Sequence, residues 1–206
     1  MFPIDRYLEE NNLDRINVDR RMHLSPPGES TMFKIDESIK PGKDIIQIIT
    51  EMLKATPGDG LVFQPGKGEI FSLVRKLNNI LPLSTIALPY YSLMQTIDRE
   101  FIEGLNDEKI KKLQASKSKL LEDEDVSFTS LRNVAEGTYK RVIIVATNIA
   151  EASITLARLT FVVDTGEQKI TKYDPDYRQS FFYLETISTT SRVQRKGRVG
   201  RVGTGN

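Results

Sequence analysis

The sequence predicts an α/β fold, a parallel sheet covered by helices on both faces. Three observations carry the expectation. Leu61 to Phe63, Ser84 to Leu88, Arg141 to Ala146 and Thr160 to Asp164 are short runs dominated by apolar and β-branched residues, the pattern of strands buried on both sides. Between them lie stretches whose apolar residues recur at helical spacing. Glycine and proline clusters separate the two kinds of segment.

Taken in order, residues 1–21 are charged and weakly patterned, a short helix or linker around Tyr7 and Leu8, and Ser25-Pro26-Pro27-Gly28 breaks the chain. Thr31 to Ile35 suits a short strand, closed by Pro41-Gly42. Ile45, Ile46, Ile48, Ile49, Met52 and Leu53 predict a helix with a broad buried face, ended by Pro57-Gly58-Asp59-Gly60. The strand Leu61-Val62-Phe63 follows, then the turn Gln64 to Gly68 and a helix from Ile70 through Leu77. A strand at Ser84 to Leu88 and a helix over 94–103 complete the next unit. Residues 104–138 break the rhythm, with lysines at 109, 111, 112, 117 and 119 and the acidic run Glu122 to Asp125, and read as a solvated, partly helical insertion. Arg141 to Ala146 is the strongest strand pattern, Asn148 to Leu156 leaves room for one or two helical turns, and Thr160 to Asp164 is the next strand. Gln168–Tyr173 and Ser180–Leu184, around Asp174-Pro175-Asp176, predict a β-hairpin lying on that sheet.

Composition narrows the function classes. A chain of 206 residues accommodates one well-buried domain. The net charge of +1 announces no polyanion binder, so any such site must come from local segregation of charge. Zero cysteines remove disulfides, thiolate metal sites and cysteine nucleophiles, and the single histidine, His23, leaves no histidine metal centre; no metal site is expected. No apolar run approaches the roughly 18 residues that span a bilayer, and the acidic N-terminal stretch is unlike a signal peptide, so a soluble, cytoplasmic protein is expected.

The local charge segregation is at the end of the chain, Gln194-Arg195-Lys196-Gly197-Arg198-Val199-Gly200-Arg201. Glycines let phosphate oxygens approach the backbone, and guanidinium forks bind phosphate bidentately without losing charge. Arginines at 195, 198 and 201 would share one face of a helix, presenting a single charged edge, and Ile187 to Ser191 supplies N-cap residues for it. A generic basic tail would be lysine-rich and flexible, so the regular spacing favours an ordered phosphate site. Ligands of open parallel sheets bind beyond the carboxyl ends of the strands, which here are Gln64–Gly68, Thr147–Ser153 and Asp164-Thr165-Gly166. Gly66-Lys67-Gly68 is no P-loop, because the hydroxyl residue required after the lysine is Gly68. Either a phosphate-backbone contact through Lys67 or a plain strand-to-helix turn explains it. Asp123-Glu124-Asp125 sits in a polar stretch and reads as a solvated charge run rather than a metal box.

Thr147-Asn148-Ile149-Ala150-Glu151-Ala152-Ser153-Ile154-Thr155, Val162-Val163-Asp164-Thr165-Gly166 and Gln194 to Arg201 resemble, in order and spacing, motifs V and VI of superfamily 2 helicases. The likeness is strongest to the DEAH and viral nucleoside-triphosphate phosphohydrolase group, with flavivirus and pestivirus helicases as relatives. Leu61 to Gly66 looks like motif IV, and Leu88-Pro89-Tyr90-Tyr91-Ser92 looks like the Leu-Pro-x-Tyr-Ser segment after it. The resemblance implies a second RecA-like domain over residues 25–206, with 1–24 a linker from the end of a first RecA-like domain. It implies that Gln194 positions the attacking water, and that Arg198 and Arg201 reach the triphosphate as arginine fingers. Gly166 and Arg195 would join these three at the nucleotide, although Arg195 could instead brace the domain through a carboxylate. Gly66, Lys67, Ser92, Thr147 and Asn148 would contact the nucleic-acid backbone, a mode that carries no sequence information. The implied partners are single-stranded RNA, with DNA as the alternative, and the first RecA-like domain; the substrate is ATP or another NTP with Mg²⁺ held by that first domain.

Two positions depart from the pattern. Ala157, followed by Arg158, stands where DEAH proteins carry the ribose-binding aspartate, and Gly166 follows Thr165 in place of a common proline; both lean toward the viral members. No Walker A loop or Asp-Glu-x-His box is present, so the chain is expected to be a fragment, inactive alone. A non-enzymatic nucleic-acid or protein-binding module on the same fold is the alternative. A small-molecule enzyme has no nucleophile, base or cofactor fingerprint behind it.

Overall fold

The buried apolar runs form the middle of one sheet. The computed structural model describes residues 33–112, 135, 137–154, 156, 158–200 and 205. Its elements run α1 (Ile45–Ala55), β1 (Asp59–Phe63), α2 (Lys67–Ile80), β2 (Thr85–Tyr90), α3 (Thr96–Glu103), α4 (Asp107–Lys112), β3 (Arg141–Ala146), α5 (Ala150–Ser153), β4 (Leu159–Asp164), β5 (Glu167–Asp174), β6 (Gln179–Thr186) and α6 (Thr189–Lys196). Strands β2, β3, β1 and β4 lie side by side in that order, all parallel. Every residue of β1 and β2 is buried, so both faces of the sheet are covered, as the unbroken apolar runs require. This is the α/β architecture expected from the sequence.

The register fixes where a site can form. Tyr90 pairs with Ala146, Ala146 with Phe63, and Phe63 with Asp164, so the carboxyl ends of all four strands stand in one row. Helix α2 closes the β2 edge. Its buried Asn78 accepts from the Ala87 N–H at 2.8 Å and donates to the Ala87 carbonyl at 3.0 Å, pairing backbone groups that no strand reaches. At the amino end, Arg141 donates to the carbonyls of Leu53 (2.7 Å) and Gly58 (2.8 Å), holding the end of α1 against the start of β1.

Three expectations change. The hairpin exists, but among the described residues β5 and β6 pair only with each other and do not extend the parallel sheet. The turn residues that fix a hairpin's pairing carry no information about where it docks. The opening of the 104–138 stretch is not a solvated surface: Leu105 and Ile110 are 7% and 3% exposed and belong to the core. Leu105 and Ile110 turn inward while Lys111 is exposed and the Lys109 ammonium lies 5.6 Å from the centre of the Phe101 ring; residues 113–134 lie outside those described. The expected strand at 31–35 is reduced to one parallel bridge between Ile35 and Gly205, with Thr31 and Met32 outside the described residues, as are residues 1–21 and His23. No helix among the described residues is long and apolar enough to cross a membrane.

Candidate functional site

Each strand end opens into a segment singled out above. After β1, the Gln64 N–H donates to the Ala146 carbonyl at 2.8 Å, and Gly66 is the N-cap of α2. After β3, the Thr147 N–H donates to the Tyr90 carbonyl at 3.3 Å, and the Thr147 and Asn148 carbonyls receive the first amides of α5 at 3.1 and 2.9 Å. After β4, Gly166 turns at φ 74°, the left-handed region that glycine enters without strain. The Ile187 N–H then donates to the Gly166 carbonyl at 2.9 Å, closing the base of the hairpin. The chain returns at Ser188, whose hydroxyl caps α6 by accepting from the Ser191 N–H at 3.1 Å, as the sequence suggested. Helix α6 thereby carries Gln194 and Arg195 back over the strand ends.

Arg195 is the keystone of the arrangement. It is 1% exposed. Nε donates to Glu151 Oε1 at 2.8 Å, Nη1 donates to Asp164 Oδ1 at 2.7 Å, and the guanidinium carbon lies 4.6 Å from the centre of the Phe63 ring. One side chain therefore ties α6 to α5, β4 and β1. The same Asp164 oxygen also accepts from the Gly166 N–H at 2.9 Å, so the turn glycine belongs to the same network.

Arg195 and Arg198 do not share one charged edge. Helix α6 ends at Lys196, so the spacing that would align 195 with 198 fails after Gly197. Arg195 points inward to its two carboxylates, whereas half-buried Arg198 donates to the carbonyls of Glu151 and Ile154 (the latter at 3.1 Å), at the carboxyl end of α5. A cation there complements the unsatisfied carbonyls of a helix end. Gln194 is exposed, and Arg201 lies outside the described residues. The basic stretch has no acidic neighbour in sequence, yet the fold supplies three. Besides Glu151 and Asp164, Glu37 receives Arg192 (Nη2 2.6 Å) and Lys196 (2.9 Å), and these hydrogen bonds, Arg192's foremost, hold its carboxyl below the usual range. The sequence allowed Arg195 a carboxylate partner without showing which acids these would be. An acid ending an apolar strand, as Asp164 does, was the available signal.

The nucleic-acid candidates sit across the same row. Gly66 lies beneath an ion pair in which Lys169 of β5 contacts Glu69 at 2.7 Å, and a side chain at Gly66 would collide with it. That pair lowers the Glu69 carboxyl. The Lys67 ammonium stands 5.6 Å from the Phe71 ring centre and 5.3 Å from that of Tyr91, linking the exits of β1 and β2. Ser92 and Asn148 are exposed and Thr147 is half-buried. The segment Gly66-Lys67-Gly68 is the strand-to-helix turn, and it carries a cation to the row. Ala157 lies outside the described residues; Arg158 pairs with Asp107 at 2.6 Å and donates to the Lys140 carbonyl, at the opposite end of the sheet. Among the described residues no group of three or more His, Cys, Asp or Glu side chains could hold a metal ion.

Comparison with known proteins matches residues 86–203 to the helicase conserved C-terminal domain family. A putative ATP-dependent RNA helicase of Acanthamoeba polyphaga mimivirus is 36% identical over 219 aligned residues, covering 100% of this chain and 12% of that protein. The ATP-dependent RNA helicase HrpB of Escherichia coli K12 is 27% identical over 163 residues, 79% of this chain and 16% of its own length. The chain thus spans well under a fifth of these relatives. The crystal structure of the E. coli DExH-box NTPase HrpB superposes with a TM-score of 0.59 over 94% of this chain and 21% of that one, at 23% identity, and shows the fold to be the same.

Proposed function

The chain belongs to the helicase conserved C-terminal domain family, as a second RecA-like domain of the DEAH branch of superfamily 2, and from that premise we propose that it is the C-terminal motor domain of an NTP-dependent RNA helicase. The observation that supports this most is the single row of strand ends, over which Arg195 holds the Gln194–Arg198 segment against Glu151 and Asp164.

The substrate is ATP or another NTP, carried with Mg²⁺ by a preceding RecA-like domain to which residues 1–24 lead. This domain contributes charge rather than a metal cage. Arg198 and Arg201 are the arginine fingers and Gln194 orients the attacking water, so charge developing on the transferred phosphoryl group meets guanidinium groups. Arg198 has acceptors already, two backbone carbonyls, and a phosphate oxygen is the stronger acceptor because it is ionised. Arg195 serves as the brace that aims the segment. Gly66, Lys67, Ser92, Thr147 and Asn148 hold the backbone of single-stranded RNA, a choice supported by the descriptions of both relatives as RNA helicases. Because Thr147 and the acceptors of Arg198 belong to one short segment, closure of the two domains on nucleotide and grip on RNA are mechanically joined.

The test is hydrolysis by the full-length protein. Arg198→Ala and Arg201→Ala each lower kcat by about 10³-fold, the loss expected on removing an arginine finger, while RNA affinity without nucleotide changes less than threefold. Hydrolysis retained in both variants overturns the finger assignment.

A further inference from the structure

Tyr90 takes no part in the contacts proposed above, yet it grips the RNA-facing loop at both ends. Its carbonyl receives the Thr147 N–H at 3.3 Å, where the loop begins. Its hydroxyl lies 2.8 Å from Ser153 Oγ, where α5 ends, and donates to Glu103 Oε1 at 2.6 Å. The side chain is 0% exposed. Burial, with the Glu103 hydrogen bond next, pushes its pKa up to about 12, so the hydroxyl keeps its proton through the working range.

Proton counting defines what the hydroxyl does. Ser153 Oγ has one proton and two neighbours that could take it, the Ile149 carbonyl at 2.6 Å within its own segment and the Tyr90 oxygen across the sheet end. With the Tyr90 proton given to Glu103, the serine proton is shared between bonding back into the loop and bonding to the sheet. The Glu151 and Ile154 carbonyls that receive Arg198 flank Ser153. From this geometry we infer that Tyr90 is a positioning residue, which sets the Thr147–Ser153 loop relative to the strand row and thereby couples the RNA-contacting end of the loop to the carbonyls that hold Arg198.

The coupling to RNA rests on the function proposed above; the positioning itself does not. The experiment uses the full-length protein with Tyr90→Phe, Ser153→Ala and both together, and reads amide hydrogen exchange alongside NTP hydrolysis titrated with single-stranded RNA. Tyr90→Phe is expected to speed exchange of the amides over 147–154 by about tenfold without changing those of β3. It is also expected to raise the RNA concentration for half-maximal stimulation five- to tenfold, and the double variant is no worse than either single one. A merely structural role predicts uniform loss of stability with half-stimulation unmoved, and that result overturns the inference, as do unchanged loop exchange or additive effects. If exchange over 147–154 rises but RNA stimulates no variant, including the parent, the helicase reading fails and the positioning role stands.

Discussion

Replacing Arg195 by methionine removes the guanidinium while keeping the length of the side chain. Two charge-assisted hydrogen bonds are lost, and the carboxylates of Glu151 and Asp164, only 13% and 21% exposed, are left facing a site with no cation between them. Breaking a buried ion pair from one side costs about 3–5 kcal/mol, and the partial exposure of both acids lets water return part of it, so about 3–4 kcal/mol is expected. For a domain of this size that lowers the thermal midpoint by roughly 6–16 °C. The assay is calorimetric or circular-dichroism unfolding of the 206-residue chain at neutral pH. Adding Glu151→Gln and Asp164→Asn should restore at least half of the loss, because the cost lies in the stranded charges rather than in the missing contact. A loss under about 1 kcal/mol for Arg195→Met, or no recovery in the triple variant, refutes the bracing role.

Asn78→Ala strands the Ala87 N–H and carbonyl in a buried edge, each orphan costing about 1–3 kcal/mol, so chemical denaturation should show about 2–4 kcal/mol lost with an unchanged m value. Burial raises the Asp59 carboxyl above its ordinary 3.8, more than the Val142 N–H and the nearby arginines lower it. Its contribution is therefore fully present below 3.8 and lost as pH rises through the folded-state value; stability measured against pH should show that fall, and Asp59→Asn should remove it. At Gly60 an added Cβ would stand 2.3 Å from the Phe161 ring, so Gly60→Ala should cost about 1–3 kcal/mol in the same denaturation assay.

Much of this architecture is legible in the chain because burial on both faces writes itself as uninterrupted apolar runs: Arg141–Ala146 and Leu61–Phe63 could be read as parallel strands before any pairing was known. The segments that meet at the strand ends are equally visible, since each follows directly on such a run. What the sequence hides is long-range partnership. Arg195 stands beside a glutamine and a lysine in the chain, and its acids come from 44 and 31 residues away, so spacing suggested an outward edge where the fold builds an inward brace. Arg198 left that edge for a local reason, the end of α6 at Lys196. Leu105 and Ile110 were masked by the charged residues around them, and standing five residues apart they show no helical period that would have marked a buried face. The hairpin's strands were placed by their turn, but the Ile187 N–H to Gly166 carbonyl bond that closes its base joins residues too far apart for the turn to announce.

When the motor closes, Arg198 is expected to exchange its backbone carbonyls for nucleotide phosphate. A structure of the full-length protein with ADP, Mg²⁺ and aluminium fluoride, with single-stranded RNA bound, measures this directly. The Arg198 guanidinium is expected within hydrogen-bond distance of the fluoride, released from the Glu151 and Ile154 carbonyls, with Arg195 still on Glu151 and Asp164. Arg198 remaining on those carbonyls while the transition-state analogue is bound would contradict that exchange.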